Sequence, residues 1–325
     1  MSIISKTPTI KKIFIGVLSL FLTVFAGQNA TAGPVTDLFV FGDSLSENGN
    51  LQALDAAGLI PGGPFPPRFS NGPIAAEILA GQIGLTLAPS FLSVSDPNTD
   101  TVANNYAFAG GRARNVVGVP GLAPQIGTAI SQAAGGILSS DALYLIFIGG
   151  NDIADALTDG FSVITDAVTA ILTGVTDLQN AGATNILVVN GPDVGDTPRV
   201  RSFGPSAVAG ADFLVGQFNN LLATGLSGIP GVTMFDALGF TQNYINSGAA
   251  AADGITNFTD PCSAITAYLC TDNSFFYADE FHVTAPVQAA FGRALILAAS
   301  VPEPAPLALL GLGLLGLGLM RRRKA

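Results

Sequence analysis

The sequence predicts an α/β fold, a three-layer α/β/α sandwich around a doubly wound, mostly parallel sheet. Three observations carry that expectation. Four short runs, at 38–41, 143–148, 186–189 and 232–235, are almost continuously apolar, as parallel strands covered on both faces must be. Ala/Leu-rich stretches long enough for crossover helices separate them, and those at 164–180 and 207–224 space their apolar residues at three and four, the helical period. Polar residues then gather just after the runs: Ser44 after the first, Asn151-Asp152 after the second, and Asn190-Gly191-Pro192-Asp193 after the third. Ligands of open α/β sheets bind off the carboxyl ends of the strands, so these loops are expected on one rim.

In chain order, the first element is an address. Lys6, Lys11 and Lys12 precede an apolar run over 13–26, and Ala30-Thr31-Ala32 is a small-x-small site. That is the pattern of a secretory signal peptide, residues 1–32, cleaved after Ala32. The run is too short and wrongly flanked for a spanning helix. The first strand then enters Gly42-Asp43-Ser44-Leu45, where glycine permits a tight strand-to-helix turn. A helix starting there would aim the Ser44 N–H into the site. The Pro/Gly-rich stretch 58–72 is expected as a long loop that shapes the substrate entrance. One more strand is expected near 101–106 or 90–94, and Gly182 and Gly225 stand as helix stops. The domain spans 33–300, roughly 270 residues and enough for a full core.

Residues 301–325 form a three-part tail: Val301-Pro302-Glu303-Pro304, an apolar Leu/Gly stretch over 305–320, then Arg321-Arg322-Arg323-Lys324. Physically this is a short membrane segment held by a cytoplasmic basic cluster.

Outside the signal and the tail, six arginines and no lysine face 22 acids, which leaves the domain near −16. Such a surface repels phosphate backbones and excludes nucleic acid as a partner. The acidity suits solubility outside the cell. Arg112 and Arg114 are read as solvated loop charges.

Cys262 and Cys270 are the only cysteines. In an exported chain a disulfide closing that loop is the expectation, contributing roughly 2–3 kcal/mol. A metal site would need more ligands nearby, and the chain has one histidine, His282.

That histidine concentrates the chemistry. A serine hydroxyl is a poor nucleophile at neutral pH and needs a base, and His282 is the sole side chain with a suitable pKa. Asp279, three residues upstream, can accept the second imidazole N–H and stabilise the imidazolium. The expected nucleophile is Ser44. Oxyanion donors are expected from the Ser44 N–H, the Gly110 N–H and the Asn151 amide, with Gly111 as the alternative to Gly110. No cofactor is required.

Four blocks together resemble the GDSL (SGNH) esterases and lipases: Gly42-Asp43-Ser44-Leu45, Asn105 through Gly111, Gly149-Gly150-Asn151-Asp152, and Asp279-Glu280-Phe281-His282. Arg68-Phe69-Ser70-Asn71-Gly72 is similar to a segment of the longer members. The resemblance implies an SGNH-hydrolase, flavodoxin-like fold, the same nucleophile, base pair and oxyanion donors, and an ester substrate. Tyr277 and Val283 depart from the Trp and Pro frequent at those places, where neither residue does chemistry. The tail resembles PEP-CTERM signals, which implies export and processing by an exosortase-type enzyme.

Alone, Gly-Asp-Ser-Leu is a turn with a capping serine, and Gly-Gly-Asn-Asp is a loop with a capping acid. Asp43, Asp152 and Asp193 are read as loop-fixing. The blocks gain meaning from their joint order along the sheet. The function expected is an exported serine hydrolase of carboxylic esters. Its rivals are a carbohydrate O-acetylesterase acting on extracellular polysaccharide, motivated by the tail, and a surface binding protein without activity.

Overall fold

The computed structural model describes residues 35–91 and 103–299. The signal stretch, the tail with its apolar segment, and part of both placements considered for the extra strand lie outside these residues. Among the described residues no helix is long and apolar enough to cross a membrane.

The main sheet contains β1 (Leu38–Gly42), β2 (Leu143–Phe147), β3 (Ile186–Val189) and β4 (Val232–Phe235), side by side in that order and all parallel. An extended segment lies along the other edge of β1. Val40 N–H donates to Asn104 O at 2.8 Å, Tyr106 N–H to Val40 O at 2.7 Å, and Phe108 N–H to Gly42 O at 3.2 Å. Its own outer side is met by residues 88–90, through Asn105 N–H to Ala88 O and Ser90 N–H to Asn105 O. This is the extra strand in truncated form, second in the chain but beyond β1 in space, giving the order 2-1-3-4-5 of a doubly wound sheet.

Strand alternation sorts the core into two faces. Phe41, Tyr144, Ile146, Ile186 and Val188 pack on one side, against α3 (Leu122–Gln132), α4 (Gly150–Asp159), α5 (Ser162–Asn180) and α7 (Pro205–Leu226). Leu38, Val40, Leu143, Leu145, Leu187 and Val189 pack on the other, against α2 (Ala75–Gln82) and α10 (Ala285–Ala299). The direction of winding reverses at β1, so α2 and α3, which lead to and from the edge segment, fall on opposite faces. Further helices among the described residues are α1 (Asn50–Ala56), α6 (Pro198–Arg201), α8 (Ala237–Asn246) and α9 (Ala249–Ala252). A small parallel pair, β5 (Asn257–Pro261) with β6 (Phe275–Tyr277), precedes the last loop.

Two expectations need correction here. The helix predicted to start at Ser44 does not form; residues 44–46 make one turn, closed by Ser46 N–H to Asp43 O at 3.0 Å, and α1 begins only at Asn50. Gly225 does not stop its helix either. It lies within α7, where a Cβ would come within 2.5 Å of Leu172 Cδ1, so the glycine permits close packing of α7 on α5.

Candidate active site

Register in the sheet gathers the site. Gly42 is paired with Phe147 on one side and bonded by Phe108 on the other. The three backbones therefore end in one row, and the loops bearing Ser44, Gly110 and Asn151 leave from the same rim. Gly42 is required at the row's centre, because a Cβ there would sit 2.5 Å from Phe147 O. Buried Gln125 of α3 holds both sides of this residue, accepting from Gly42 N–H at 2.8 Å and donating to Gly42 O at 2.8 Å.

Asp43 then fixes the turn by accepting the Leu45 N–H at 3.0 Å. Burial raises its carboxyl to about 7, a rise tempered by the Leu45 N–H and the charge of His282. Ser44 is left half-exposed at the crest, with its Oγ 2.8 Å from His282 Nε2.

His282 arrives on the loop after β6, folded back by an antiparallel bridge between Tyr277 and Val283 and by Ala278 N–H to His282 O at 2.7 Å. Its Nδ1 lies 2.8 and 2.9 Å from the two oxygens of Asp279. Burial works to raise Asp279, but bonds from the His282 ring and from the Phe281 and His282 backbone N–H groups outweigh it and hold the carboxyl below its ordinary value. An ionised carboxylate only accepts, so the imidazole proton belongs on Nδ1 and the Nε2 lone pair faces the Ser44 hydroxyl.

On the opposite side of Ser44, Gly110 is left-handed at φ 77°. Neither its N–H nor that of Ser44 enters a hydrogen bond among the described residues. The Gly111 N–H differs, since it is taken by Phe108 O at 2.9 Å. Asn151, in the first turn of α4, donates one amide hydrogen to Gly111 O at 2.9 Å and keeps a second. The loop after β3 is occupied elsewhere: Asn190 bonds Asp236 and Ala237, and Gly191 bonds Asn219.

Of the supporting residues, Glu47 carries no signal of its own in the sequence. Glu47 is fully buried and accepts from the Leu51 and Ala109 N–H groups, tying the Ser44 turn to the glycine block. Burial pushes it up to about 7 against these bonds. Asn105 strengthens the tie, donating to Ser46 O at 2.8 Å and Asn48 Oδ1 at 2.7 Å. The Phe69 ring lies 5.2 Å from the His282 ring, while Asn71 accepts the Ala285 N–H at 2.7 Å. The segment 68–72 thus braces the histidine loop. Two hollows of about 410 and 310 Å³ adjoin it, both lined by Arg68 and Pro73 and neither by a residue of the Ser44–His282–Asp279 chain.

The expectation of solvated Arg112 and Arg114 is also corrected. Arg114 binds fully buried Asp152 at 2.8 Å and Asp155 at 2.8 Å, and Arg112 binds Asp155 at 2.5 Å. Asp152 further accepts the Ala113 N–H at 2.8 Å. With one face of the helix start and one loop both rich in backbone donors, these charges join the glycine block to α4. Cys262 and Cys270 are disulfide-bonded, with Cα atoms 5.3 Å apart.

A family model described as GDSL-like Lipase/Acylhydrolase matches residues 38–295, and one described as the PEP-CTERM protein-sorting motif matches 300–324. The chain is 31% identical to "Lipase 1" of Photorhabdus luminescens over 57% of its own length, which is 26% of that protein. A "GDSL esterase/lipase" of Arabidopsis thaliana is 26% identical, with 89% of this chain and 98% of the relative covered. "Phosphatidylcholine-sterol acyltransferase" of Aeromonas hydrophila is 29% identical over 65% of the chain, which is 60% of that protein.

Proposed function

The chain belongs to the GDSL-like lipase/acylhydrolase family of ester-bond hydrolases, and from that premise we propose that it is an exported serine hydrolase acting on carboxylic esters through an acyl-enzyme on Ser44. The observation that carries this reading is the continuous relay from Ser44 Oγ to His282 Nε2 and from Nδ1 to Asp279, each step 2.8 Å long.

In this reading Ser44 Oγ attacks the ester carbonyl as its proton passes to His282 Nε2. Asp279 holds the resulting imidazolium. Negative charge develops on the former carbonyl oxygen beside the N–H groups of Ser44 and Gly110 and the second amide hydrogen of Asn151. His282 then returns the proton to the leaving alkoxide, and the alcohol departs. Water enters, gives its proton to His282, and cleaves the acyl-enzyme by the same steps in reverse.

The relatives named lipase, esterase/lipase and acyltransferase favour an acyl ester of an alcohol. The sorting motif favours the second substrate reading, an O-acetyl ester on extracellular polysaccharide. It also supports export, with the signal peptide 1–32 removed and the tail held at the membrane until an exosortase-type enzyme processes it.

The test is a panel of short acetyl esters, long-chain acyl esters and acetylated glycans, run on the wild type and on Ser44→Ala. A fluorophosphonate should label Ser44 in the wild type and fail to label the variant. Turnover that survives Ser44→Ala would overturn the mechanism, and the ranking within the panel chooses between the two substrate classes.

A further inference from the structure

The strand β6 and the loop after it carry more than Asp279 and His282. Alongside runs the loop closed by Cys262–Cys270, stitched on by Cys262 N–H to Tyr277 O and Ser263 N–H to Ala278 O, both at 3.0 Å. Within that loop Ala267 opens one 3₁₀ turn (Ala267–Leu269) and is completely buried. Its N–H donates to Asp279 Oδ2 at 3.0 Å. The first N–H groups of a helical turn have no partner inside it, so this donor is free for the carboxylate.

Asp279 therefore receives backbone donors from two directions. Phe281 and His282 N–H groups, from its own loop, meet Oδ1 at 2.8 Å each. Ala267 meets Oδ2, the oxygen that also faces His282 Nδ1 at 2.8 Å. Only the second direction depends on a segment whose ends the disulfide ties. Three side chains of that segment, Ile265, Tyr268 and Leu269, are exposed, so its apolar burial is confined to a small cluster of Ala267, Cys270 and Ala278, against which Cys262 packs.

We propose that the Cys262–Cys270 loop is a positioning device for the relay, holding the Ala267 N–H on Asp279 and thereby setting how strongly the carboxylate draws on the His282 ring. It deepens the reading of Ser44, His282 and Asp279 as a triad and rests on it. A donor on Oδ2 spreads the carboxylate's charge. When it is withdrawn, the carboxylate binds the imidazolium more tightly and His282 holds its proton to higher pH. Other charges around the pair stay in place. Asp43 faces His282 from the β1 turn, Glu280 pairs with Arg199 of α6 at 3.5 Å, and Asp193, Asp196 and Arg201 act on Tyr277 at the base of the loop.

The single histidine makes the test direct. In the full chain without a polyhistidine tag, the imidazole Cε1–H resonance belongs to His282 alone. Its titration midpoint is measured in the wild type, in the Cys262→Ser/Cys270→Ser double variant, and in Ala267→Pro. The last deletes the N–H but keeps the Ala267 carbonyl, and proline suits the first position of a helical turn after the extended Thr266. Both variants should move the midpoint upward, by about half a unit to one unit, and move the rising limb of kcat/KM with it. Near-UV circular dichroism establishes that each is folded. Should the serine pair fail to fold, the wild type reduced by a dithiol under native conditions supplies the same comparison. A midpoint that stays put, or moves down, on loss of the disulfide overturns the proposal. The resonance titrates whether or not the chain turns over an ester, so that outcome is distinct from failure of the triad reading, which Ser44→Ala tests.

Discussion

Asn151 donates its side-chain amide to the carbonyl of Gly111 across 2.9 Å. One proposed oxyanion donor is thereby oriented by the loop that supplies another. The amide plane is fixed before any substrate arrives, and the hydrogen not used on Gly111 is already aimed by that bond. Asn151→Ala should lower kcat by about 10²–10³ with KM little changed. Steady-state kinetics checks this; a loss confined to KM would place Asn151 in ground-state binding instead.

The two glycines of the block should respond differently to alanine. A Cβ on Gly111 would lie 2.8 Å from Phe108 O and 3.1 Å from Gly42 O, both backbone atoms of the row beneath the nucleophile. On Gly110 the nearest neighbour is Val119 Cγ2 at 3.6 Å, so only the left-handed φ is penalised, by about 1–2 kcal/mol. Urea unfolding should therefore show Gly111→Ala as the less stable, and Gly110→Ala should retain measurable turnover. The reverse order would contradict the assigned packing.

Glu47 gives stability a dependence on pH with a definite sign. Its carboxyl is raised from 4.5 to about 7, so at intermediate pH the folded chain holds a proton that the unfolded chain has released. Its contribution is complete below the unfolded value and is lost as pH rises through about 7. Asp43, also raised to about 7, acts in the same direction, whereas Asp279, lowered, loses its contribution only as pH falls below the ordinary carboxylate range. Thermal midpoints of the wild type should therefore decline from about pH 4.5 to 7. Glu47→Gln should flatten that decline and lose about 1–3 kcal/mol, since an amide oxygen serves one of the two backbone N–H groups and its NH₂ opposes the other.

Arg114→Met leaves Asp152 buried with its backbone donor but without its cation. A loss of about 3 kcal/mol is expected, with lower kcat from the residual folded enzyme because the Ala113–Arg114 backbone relaxes from α4. Denaturant melts together with kcat per labelled Ser44 separate the two effects. Unchanged values for both would mean the ion network is idle.

What could be read from the chain in advance follows from how local each signal is. The strand runs at 186–189 and 232–235 match β3 and β4; β3 is buried throughout and apolar throughout, whereas β4, at the end of the sheet, is only partly buried and carries exposed Thr233. Ser44, His282 and Asp279 were legible because a lone histidine leaves one choice of base, and its acid sits three residues away. The edge segment at 104–108 was legible only as one of two placements for an extra strand, since its Asn-rich composition reads as loop until Val40 and Gly42 supply hydrogen bonds. Gln125 and Glu47 were silent. Each is an ordinary surface or core residue by type, and its partner lies 83 and 62 residues away in the chain respectively. Arg112 and Arg114 misled for the same reason, as they lie in a loop and their acids belong to α4, 38 to 43 residues further on.

The segment that carries Gly110 has a second consequence for the molecule. By lying along β1 it occupies a row of backbone donors and acceptors that would otherwise end the sheet, and residues 88–90 occupy its own outer side in turn. An uncovered strand edge is a template for pairing with another chain. Left open, that template would seed aggregation. The glycine block thus also serves as a solubility device, beyond its proposed part in the oxyanion hole, and variants that loosen it should precipitate as they lose turnover.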